Sequence, residues 1–406
     1  MNDRPDQELR RLVRSISSAS LSRRAAFGGL AAVAAAGVLS ACGSPAQGGK
    51  TAAPAPTDLS DVDKIVNWSN WPLYMDEADD GSYPTLQAFT KQTGIKVNYN
   101  TDYNDNEEFF AKVQPLLAAG QDTGRDLWVS TDWMVARLIS LGYIQPLNKD
   151  NIPNAGNLQP SLQDVSYDPG RVYSLPWQGI FAGIGYNLAR TGGRKVTSMD
   201  QLLHDKQLKG KVVLLSEMRD TVGLMLMEQG KRLDNFTADD FAAALTVIQD
   251  AKDAGQLRGF SGNNYADDLD KGVVAASVVW AGDVAQMAVG NKNLGVTLPD
   301  TGFTLSYDNL VIPAMAQHKT NAEKLINYYY NPEVMAQVTG WVNYLSPVAG
   351  VKDVLLKSSD PDVVAVAKSQ LVFPDDATMA RAQKFRALTS EEDLSFTRQY
   401  QALVTG

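Results

Sequence analysis

The chain has 406 residues, of which 37 are basic and 46 acidic, so its formal net charge at pH 7 is −9 and its pI is about 4.9. This acidic balance excludes proteins that bind nucleic acid or anionic lipid by charge attraction, and it favours the approach of small cations. A single cysteine excludes a disulfide framework, so burial of apolar side chains must hold the fold together.

The first 41 residues have the pattern of an export signal. Arginines precede an apolar, alanine-rich run from about Ala25 to Leu39, which is too short for a stable membrane anchor. The run ends in LSAC, which resembles a bacterial lipobox, and this resemblance implies cleavage before Cys42 and attachment of a lipid to its thiol. SRRAAF resembles a twin-arginine signal, but the general secretion route fits equally. We therefore predict a signal peptide over residues 1–41 and a lipoprotein anchored through Cys42 to the outer face of the cytoplasmic membrane.

Residues 42–60 are rich in Gly, Pro, Ala and Ser and have no apolar period, so they are predicted to form a flexible tether. Cleavage would remove six basic and three acidic residues and leave a mature chain of 365 residues with a net charge of −12. That length exceeds one typical hydrophobic core and fits two lobes.

From about residue 61 onward, strand patterns alternate with amphipathic helix patterns. The predicted strand segments are DKIVNW, IKVNYN, DLWVS, RVYSLPWQGIFAGIGYN, GKVVLLS, VVAASVVW and TGFTLSYDNLVIP. The predicted helices are PTLQAFTKQTG, EEFFAKVQPLLAAG, WMVARLISLG, TVGLMLMEQG, DVAQMAVG, AEKLINYYY and PEVMAQVTGW. Strands that alternate with helices imply an α/β protein with a mainly parallel sheet.

Several segments occur in the order and spacing of bacterial polyamine-binding proteins, the spermidine and putrescine receptors of ABC importers. The shared pieces are NWSNW, FTKQTGIKVNYN, DLWVSTDW, GIGYN, LLSEMRD, WAGD and YDNLVIP, and the resemblance spans about Lys64 to Tyr344. It implies a two-lobed periplasmic-binding-protein type II fold, in which each lobe is a mainly parallel sheet with flanking helices. Two crossover segments, YSLPWQGIFAGIGYN and GVTLPDTGFTLSYDNLVIP, would form the hinge beside a ligand-binding cleft.

The resemblance also sets the expected lobe limits and partners. Lobe 1 is expected to comprise residues 61–175 and 305–406, and lobe 2 residues 176–304. The expected partners are a small polyamine and the permease subunits of an ABC importer, and the receptor is expected to be a monomer.

The chemistry of a linear polyamine predicts what its site must contain. Each ammonium group is a strongly hydrated cation, so its burial is costly unless carboxylates and carbonyls replace the lost water. The methylene groups favour flat apolar walls, and aromatic faces add cation–π attraction of roughly 0.5–2 kcal/mol per contact. The site is therefore expected to be an aromatic box with acids near its ends, after the strands of an open α/β sheet.

Four tryptophans and a threonine are candidates for the walls of this box. By the resemblance, Trp68 and Trp280 match ligand-stacking tryptophans, whereas Trp71 and Trp133 match aromatic positions of the cleft. Thr131 matches a serine that contacts the ligand. Core packing is the alternative for Trp68 and Trp71, because both lie at the end of a predicted strand.

Five acids are candidates for the ammonium groups. Asp283 and Asp308 match ammonium-binding aspartates of the resembling family. Asp220 lies where that family places an acidic contact, and Glu217, three residues earlier, is a second candidate. Asp132 occupies a position that is usually uncharged in the family. Helix capping is the alternative for Asp132, Asp220 and Asp283, whereas Asp308 interrupts a strand and would be costly to bury without a positive partner.

Three aromatic residues complete the candidates. Tyr265 and Tyr344 align with cleft positions, with a surface location as the alternative for each. The resembling proteins place a tryptophan three residues after the proline of the first crossover, whereas here Trp177 follows Pro176 directly and Gly179 takes that position. The resemblance therefore predicts the class of ligand more firmly than the individual amine.

The sequence argues against an enzyme. The mature chain has only two histidines, His204 and His318, both among polar residues, and it contains no G-x-S-x-G turn, no H-E-x-x-H motif and no thiol besides Cys42. A histidine triad or a zinc site is hard to assemble from these residues, so neither catalysis nor a metal or other cofactor is predicted. The alternatives are the same fold with another small cationic or amino-acid-like solute, for which Arg219 is the candidate carboxylate partner, and an exported hydrolase.

Overall fold

A computed structural model describes residues 56–406, so the predicted signal peptide, Cys42 and most of the predicted tether lie outside the described residues. The strands of the described part are β1 (Ile65–Asn70), β2 (Lys96–Thr101), β3 (Leu127–Thr131), β4 (Ser174–Asn187), β5 (Val212–Leu215), β6 (Leu257–Ser261), β7 (Ala276–Trp280), β8 (Leu294–Thr297), β9 (Phe303–Val311) and β10 (Ala382–Gln383).

The α-helices of the same part are α1 (Pro84–Thr93), α2 (Asn106–Ala118), α3 (Asp132–Leu141), α4 (Met199–His204), α5 (Met218–Glu228), α6 (Ala238–Asp253), α7 (Tyr265–Asp270), α8 (Ala281–Gly290), α9 (Lys319–Tyr329), α10 (Pro332–Val342), α11 (Val351–Leu356), α12 (Pro361–Ala367), α13 (Asp376–Met379) and α14 (Ser390–Thr405). Short 3₁₀ helices lie at Lys149–Asn151, Pro153–Asn157, Pro160–Leu162, Pro169–Arg171 and Lys206–Leu208.

The seven predicted strand segments and seven predicted helices are all present, because each carries clear local signals. Helix α1 illustrates them. It begins with Pro84, whose ring fixes a helical φ where the missing N–H has no helical partner, and it ends at Gly94, whose φ of 73° is left-handed. The Gly94 N–H donates to the carbonyl oxygen of Thr90 and so closes the helix.

The strands form one mixed sheet in the order β2-β1-β3-β9-β4-β7-β5-β6, while β8 pairs with β4 and β10 with β9. Strand β1 runs parallel to β2 and β3, and β5 runs parallel to β6 and β7. Strands β4 and β9 run antiparallel to each other and to their outer neighbours β7 and β3. The α/β class predicted from the sequence is confirmed.

The two predicted crossover segments form the central strands β4 and β9. All fourteen residues of β4 are buried, as expected for a strand covered on both faces. In the sheet order, β1 to β3 lie on one side of this pair and β5 to β7 on the other. Of the described residues, 56–78 and 82–406 form one compact unit, and the proposed lobe limits stay a prediction.

The C-terminal helix α14 packs against elements from the predicted lobe 2. Phe396 stacks on Phe241 of α6 with ring centroids 4.0 Å apart, and the Tyr400 hydroxyl donates to the carbonyl oxygen of Leu215 in β5. The Lys252 Nζ of α6 donates to a carbonyl oxygen of α14 at 2.6 Å. Asp393 of α14 also accepts from Arg137 of the predicted lobe 1 at 2.7 Å, so this helix contacts residues of both predicted lobes.

Among residues 56–406, no helix has both the length and the hydropathy that a bilayer-crossing segment requires.

Candidate functional site

One cavity lies at the ends of β1, β3, β5 and β7 and against β4 and β9. It is lined by Trp71, Pro72, Tyr74, Thr131, Ile180, Glu217, Asp220, Asn263, Trp280, Asp283, Ser306, Asp308 and Tyr344. The carboxyl ends of parallel strands are where open α/β sheets place ligands. Four of these thirteen residues are acids and none is Lys, Arg or His, so we call this the acidic cavity.

Aromatic rings wall the acidic cavity in two pairs. The rings of Trp71 and Trp280 meet edge to face with centroids 5.3 Å apart, and those of Tyr74 and Tyr344 do so at 4.8 Å. Tyr103 packs against Trp71 with a centroid distance of 4.8 Å. Such aromatic pairs have a preferred geometry, so the rings hold one another in defined orientations.

Asp283 lies in the first turn of α8, directly after the strand that ends in Trp280. The alternative of helix capping is wrong, because no side chain caps the N-terminus of α8. Instead, Oδ1 accepts a hydrogen bond from Tyr344 Oη at 2.6 Å, and Oδ2 accepts from Tyr265 Oη at 2.7 Å and Asn263 Nδ2 at 2.8 Å. The side chain is only 1% exposed, and burial raises the pKa of Asp283 to about 6 although the three donors act in the opposite direction.

Asp308 lies opposite Thr131 in the antiparallel pairing of β9 with β3, so the two side chains share one face of the sheet. Its Oδ1 accepts from Thr131 Oγ1 at 2.6 Å and its Oδ2 accepts from Tyr74 Oη at 2.9 Å. Burial raises the pKa of Asp308 to about 7, and the nearby charges of Asp132 and Asp220 act in the same direction.

The other two acids of the cavity belong to the start of α5. Asp220 accepts from Trp280 Nε1 at 3.0 Å and from Thr304 Oγ1 at 2.7 Å. Glu217 accepts from the backbone N and from Nδ2 of Asn106 at 2.8 and 2.7 Å. Neither side chain caps α5, so the capping alternative for Asp220 is wrong. Burial raises the pKa of both carboxyls.

The acidic cavity therefore concentrates negative charge without a basic side chain to balance it. Its carboxylates receive hydrogen bonds from hydroxyl, indole and amide groups, which orient the oxygens but carry no positive charge. Burial of several like charges is unfavourable, and it raises their pKa values until a cation approaches. Clusters of this kind are typical of functional sites, and this one is chemically suited to a cation with N–H donors.

The structure brings most of the predicted site residues together. The residues that line the acidic cavity are Trp71, Thr131, Glu217, Asp220, Trp280, Asp283, Asp308 and Tyr344. Tyr265 is fully buried beside the cavity and contacts two of its lining residues: its hydroxyl donates to Asp283 Oδ2 at 2.7 Å and accepts from the backbone N of Trp280 at 3.0 Å. The positions of these residues agree with the prediction, while their contacts with a ligand stay a prediction.

Two predicted tryptophans do not line the cavity. Trp68 and Trp177 are fully buried and pack against each other at 5.3 Å, and both also contact Tyr329, at 5.7 and 5.0 Å. Trp68 lies within β1, where it is paired with Tyr99 of β2, whereas Trp71 lies beyond the end of the strand. The assignment of Trp68 and Trp177 to the ligand site is therefore wrong in this structure, and both indoles belong to the core.

Asp132 and Trp133 line an adjoining cavity instead of the acidic one. Asp132 is the first residue of α3 and its Oδ1 accepts from the backbone N of Trp133 at 2.8 Å. The guanidinium of Arg219 lies over the Trp133 ring, 4.1 Å from its centroid, and that of Arg137 lies at 5.2 Å. These two cations already occupy the ring, so the prediction that Trp133 walls the same box as Trp280 is not supported.

Gly179 stands where the resembling proteins have a tryptophan, and the ring of Tyr307 occupies the space beside it. A Cβ added to Gly179 would lie 2.6 Å from Cε1 of Tyr307, a distance that real Cβ atoms do not show. Gly179 also exchanges backbone hydrogen bonds with Leu345, at 2.8 and 3.0 Å. The chain therefore combines a small residue on β4 with an aromatic ring on β9.

Sequence reasoning missed five lining residues, of which Tyr74 is the most informative. Tyr74 donates to Asp308, although the two residues are 234 positions apart. Its signal was present in the sequence, since it follows Trp71 by three residues in WPLY. The others are Pro72, Ile180, Asn263 and Ser306.

Comparison with known proteins places the chain in a family. Residues 85–366 match the family model of bacterial extracellular solute-binding proteins. The spermidine/putrescine-binding periplasmic protein of Escherichia coli K12 is 28% identical over 324 residues, which cover 80% of this chain and 87% of the relative. The putrescine-binding periplasmic protein PotF of the same organism is 30% identical over 303 residues, which cover 70% and 78% of the two chains.

A solved structure from Listeria monocytogenes, described as a spermidine/putrescine ABC transporter, has the same fold. It is similar with a TM-score of 0.72 at 24% identity, over 84% of this chain and 99% of that one. This similarity confirms the predicted periplasmic-binding-protein type II fold. The family match over residues 85–366, together with the 30% identical relative, shows that the chain is a solute-binding transport protein of the bacterial extracellular solute-binding protein family.

Proposed function

We propose that the mature protein binds a linear aliphatic amine with two or more ammonium groups, of the putrescine and spermidine class, and delivers it to the permease of an ABC importer. The observation that carries the proposal is the acidic cavity, with four carboxylates and aromatic walls but no basic side chain in its lining. The names of two relatives, which specify spermidine/putrescine and putrescine binding, support the proposal.

In this proposal Asp283 and Asp308 pair with the two ammonium groups of the amine. Each carboxylate is oriented by hydroxyl donors and nearly inaccessible to water, so a charge-assisted hydrogen bond to it would be strong. Trp71 and Trp280 would cover the methylene groups and attract the cationic ends through their ring faces.

Hydrogen bonds between the two predicted lobes support closure around the ligand. Asn106 donates to Glu217 at 2.7 Å, and Ser216 Oγ donates to Asp105 at 2.8 Å. The backbone of Asn263 donates to that of Asn104 at 3.0 Å. Residues 104–106 belong to the predicted lobe 1 and the other three to the predicted lobe 2, so these bonds would break when the cleft opens.

Arg219 does not favour an amino-acid ligand in the acidic cavity. It lies outside the lining of that cavity, and its Nη2 donates to Asp393 Oδ1 at 2.7 Å. A ligand carboxylate would have to displace Asp393 and approach four acids, which is unfavourable in a buried site. The cationic class is therefore preferred over the amino-acid-like alternative.

Calorimetry of the purified mature protein tests the ligand class. We expect binding heat with putrescine and spermidine and none with a neutral sugar or an anionic amino acid. Asp283→Asn should weaken amine binding tenfold or more, because a hydrogen bond to a charged group contributes about 1.5–3 kcal/mol. Binding of only uncharged or anionic solutes would contradict the proposal.

We further propose that the protein is a monomeric lipoprotein, cut after residue 41 and anchored through Cys42. The LSAC motif after an apolar run supports this location. Expression of the full chain in a bacterial host should give a membrane-associated protein whose mass includes an acyl group, and Cys42→Ser should abolish both properties. An unmodified Cys42 in the exported protein would contradict the anchor, and a dimer in sedimentation experiments would contradict the monomer.

A further inference from the structure

A second cavity adjoins the acidic cavity. It is lined by Thr131, Asp132, Trp133, Arg219, Asp220, Thr304, Leu305, Ser306 and Phe385. Thr131, Asp220 and Ser306 line both cavities, so the two share a wall made of small and acidic side chains. A flexible ligand longer than the acidic cavity would extend along this shared wall.

Asp132 supplies the second cavity with a negative charge of its own. Its Oδ1 accepts one backbone hydrogen bond, and no basic side chain of residues 56–406 forms an ion pair with it. Burial raises the pKa of Asp132, and Lys384 and Arg219 oppose this effect only through space. Thr131, the neighbour of Asp132 in the chain, is paired with Asp308 across β3 and β9, and the charge of Asp132 adds to the effect of burial in raising the pKa of Asp308.

Arg219 also lines the second cavity, but its charge is already balanced. Its guanidinium donates to Asp393 at 2.7 Å and lies over the ring of Trp133, 4.1 Å from the ring centroid. With that ion pair in place, Asp132 and Asp220 leave the cavity with an excess of negative charge. Leu305 and Phe385 provide apolar surface for methylene groups.

We infer that the two cavities form one extended site for a linear triamine, in which Asp132 binds the third ammonium group. The inference rests on the proposed function, because it assigns the other two ammonium groups to Asp283 and Asp308. A diamine would occupy the acidic cavity alone, whereas a triamine would span the shared wall and gain the contact with Asp132. Asp132 is thus a specificity-determining residue that distinguishes amines by their length.

The test compares putrescine, a diamine, with spermidine, a triamine, on the mature protein by calorimetry. Asp132→Asn should weaken spermidine binding about tenfold or more, the loss of one charge-assisted contact, and should change putrescine affinity much less, because a diamine makes no contact with Asp132. Asp132→Glu keeps the charge and should retain most of the spermidine affinity. Asp239→Asn, an exposed site on α6 with the same change of charge, is the matched control.

Each other outcome is informative. If Asp132→Asn weakens the binding of both amines equally, Asp132 acts on the acidic cavity through Thr131. If neither affinity changes, the triamine does not reach Asp132. Either result overturns this inference but leaves the proposed function standing. Failure of the wild-type protein to bind either amine would instead overturn the proposed function. Thermal unfolding of each variant checks that the fold is intact.

Discussion

Amine binding should depend strongly on pH, because the acidic cavity holds carboxyls that are partly protonated near neutrality. Burial raises the pKa of Asp308 to about 7 and that of Asp283 to about 6. An aliphatic ammonium group has a pKa of about 10 and therefore remains charged in the pH range in which these two aspartates titrate. The proposed contact requires both carboxylates to be ionised, so binding must release the protons that they hold.

The magnitude follows from the two pKa values. Between pH 8 and pH 5 the ionised fraction falls from roughly 90% to roughly 1% for Asp308, and from nearly complete to roughly 10% for Asp283. The apparent affinity should therefore fall about a thousandfold over this range if both acids must be ionised. At pH 7 the binding of one amine should release about 0.6 proton, mostly from Asp308.

Calorimetry measures both quantities. Titrations of putrescine at pH 5, 6, 7 and 8 give the affinities, and titrations at pH 7 in two buffers of different ionisation enthalpy give the number of protons released. Asp308→Asn is the matched variant, since it should reduce proton release at pH 7 to about 0.1 per amine. Affinities that agree within threefold at pH 5 and pH 8, together with a heat that does not depend on the buffer, would refute the reasoning.

Three further outcomes are expected from the geometry. Without amine, the free energy of unfolding should fall as pH rises from about 4 to 8. The reason is that the folded chain holds protons on Asp283 and Asp308, whose pKa values are raised, whereas the unfolded chain releases these protons near pH 4. Chemical denaturation measures this free energy, and an increase over the same pH range would contradict the prediction. Trp280→Leu should weaken putrescine binding about 2- to 30-fold, because the cation–π contact is lost. Trp68→Leu should instead lower the free energy of unfolding by about 3 kcal/mol and leave putrescine affinity within twofold. The reverse pattern would mean that Trp68 contacts the ligand. Gly282→Ala would place a Cβ 2.5 Å from Cε2 of Tyr344, so the tyrosine ring must move away from Asp283 and putrescine affinity should fall at least fivefold. Gly156→Ala is the control, because its new Cβ has no atom within 4 Å and should not change the affinity.

The sequence predicted the elements of the fold well, because their signals are local. The strand and helix patterns needed only the neighbours of each residue, as in the helix from Pro84 to its left-handed stop at Gly94. Asp283 and Asp308 were also identified from the sequence, both through the resemblance to polyamine-binding proteins, and Asp308 also because it interrupts a strand, where a carboxylate is costly to bury without a positive partner.

The membership of the site could not be predicted in full, because it depends on pairing between distant segments. Trp68 and Trp71 are only three residues apart, yet the first is enclosed by the pairing of β1 with β2 while the second emerges beyond the strand end. The contact of Tyr74 with Asp308 joins residues 234 positions apart, and no local pattern encodes it. The periodicity of apolar residues by itself therefore determined the α/β elements, whereas the resemblance of WAGD, LLSEMRD and YDNLVIP to a known family indicated the acidic candidates. Only the tertiary structure decided which indoles face the cavity, because the register between strands, rather than the order of residues along one strand, determines which side chains meet.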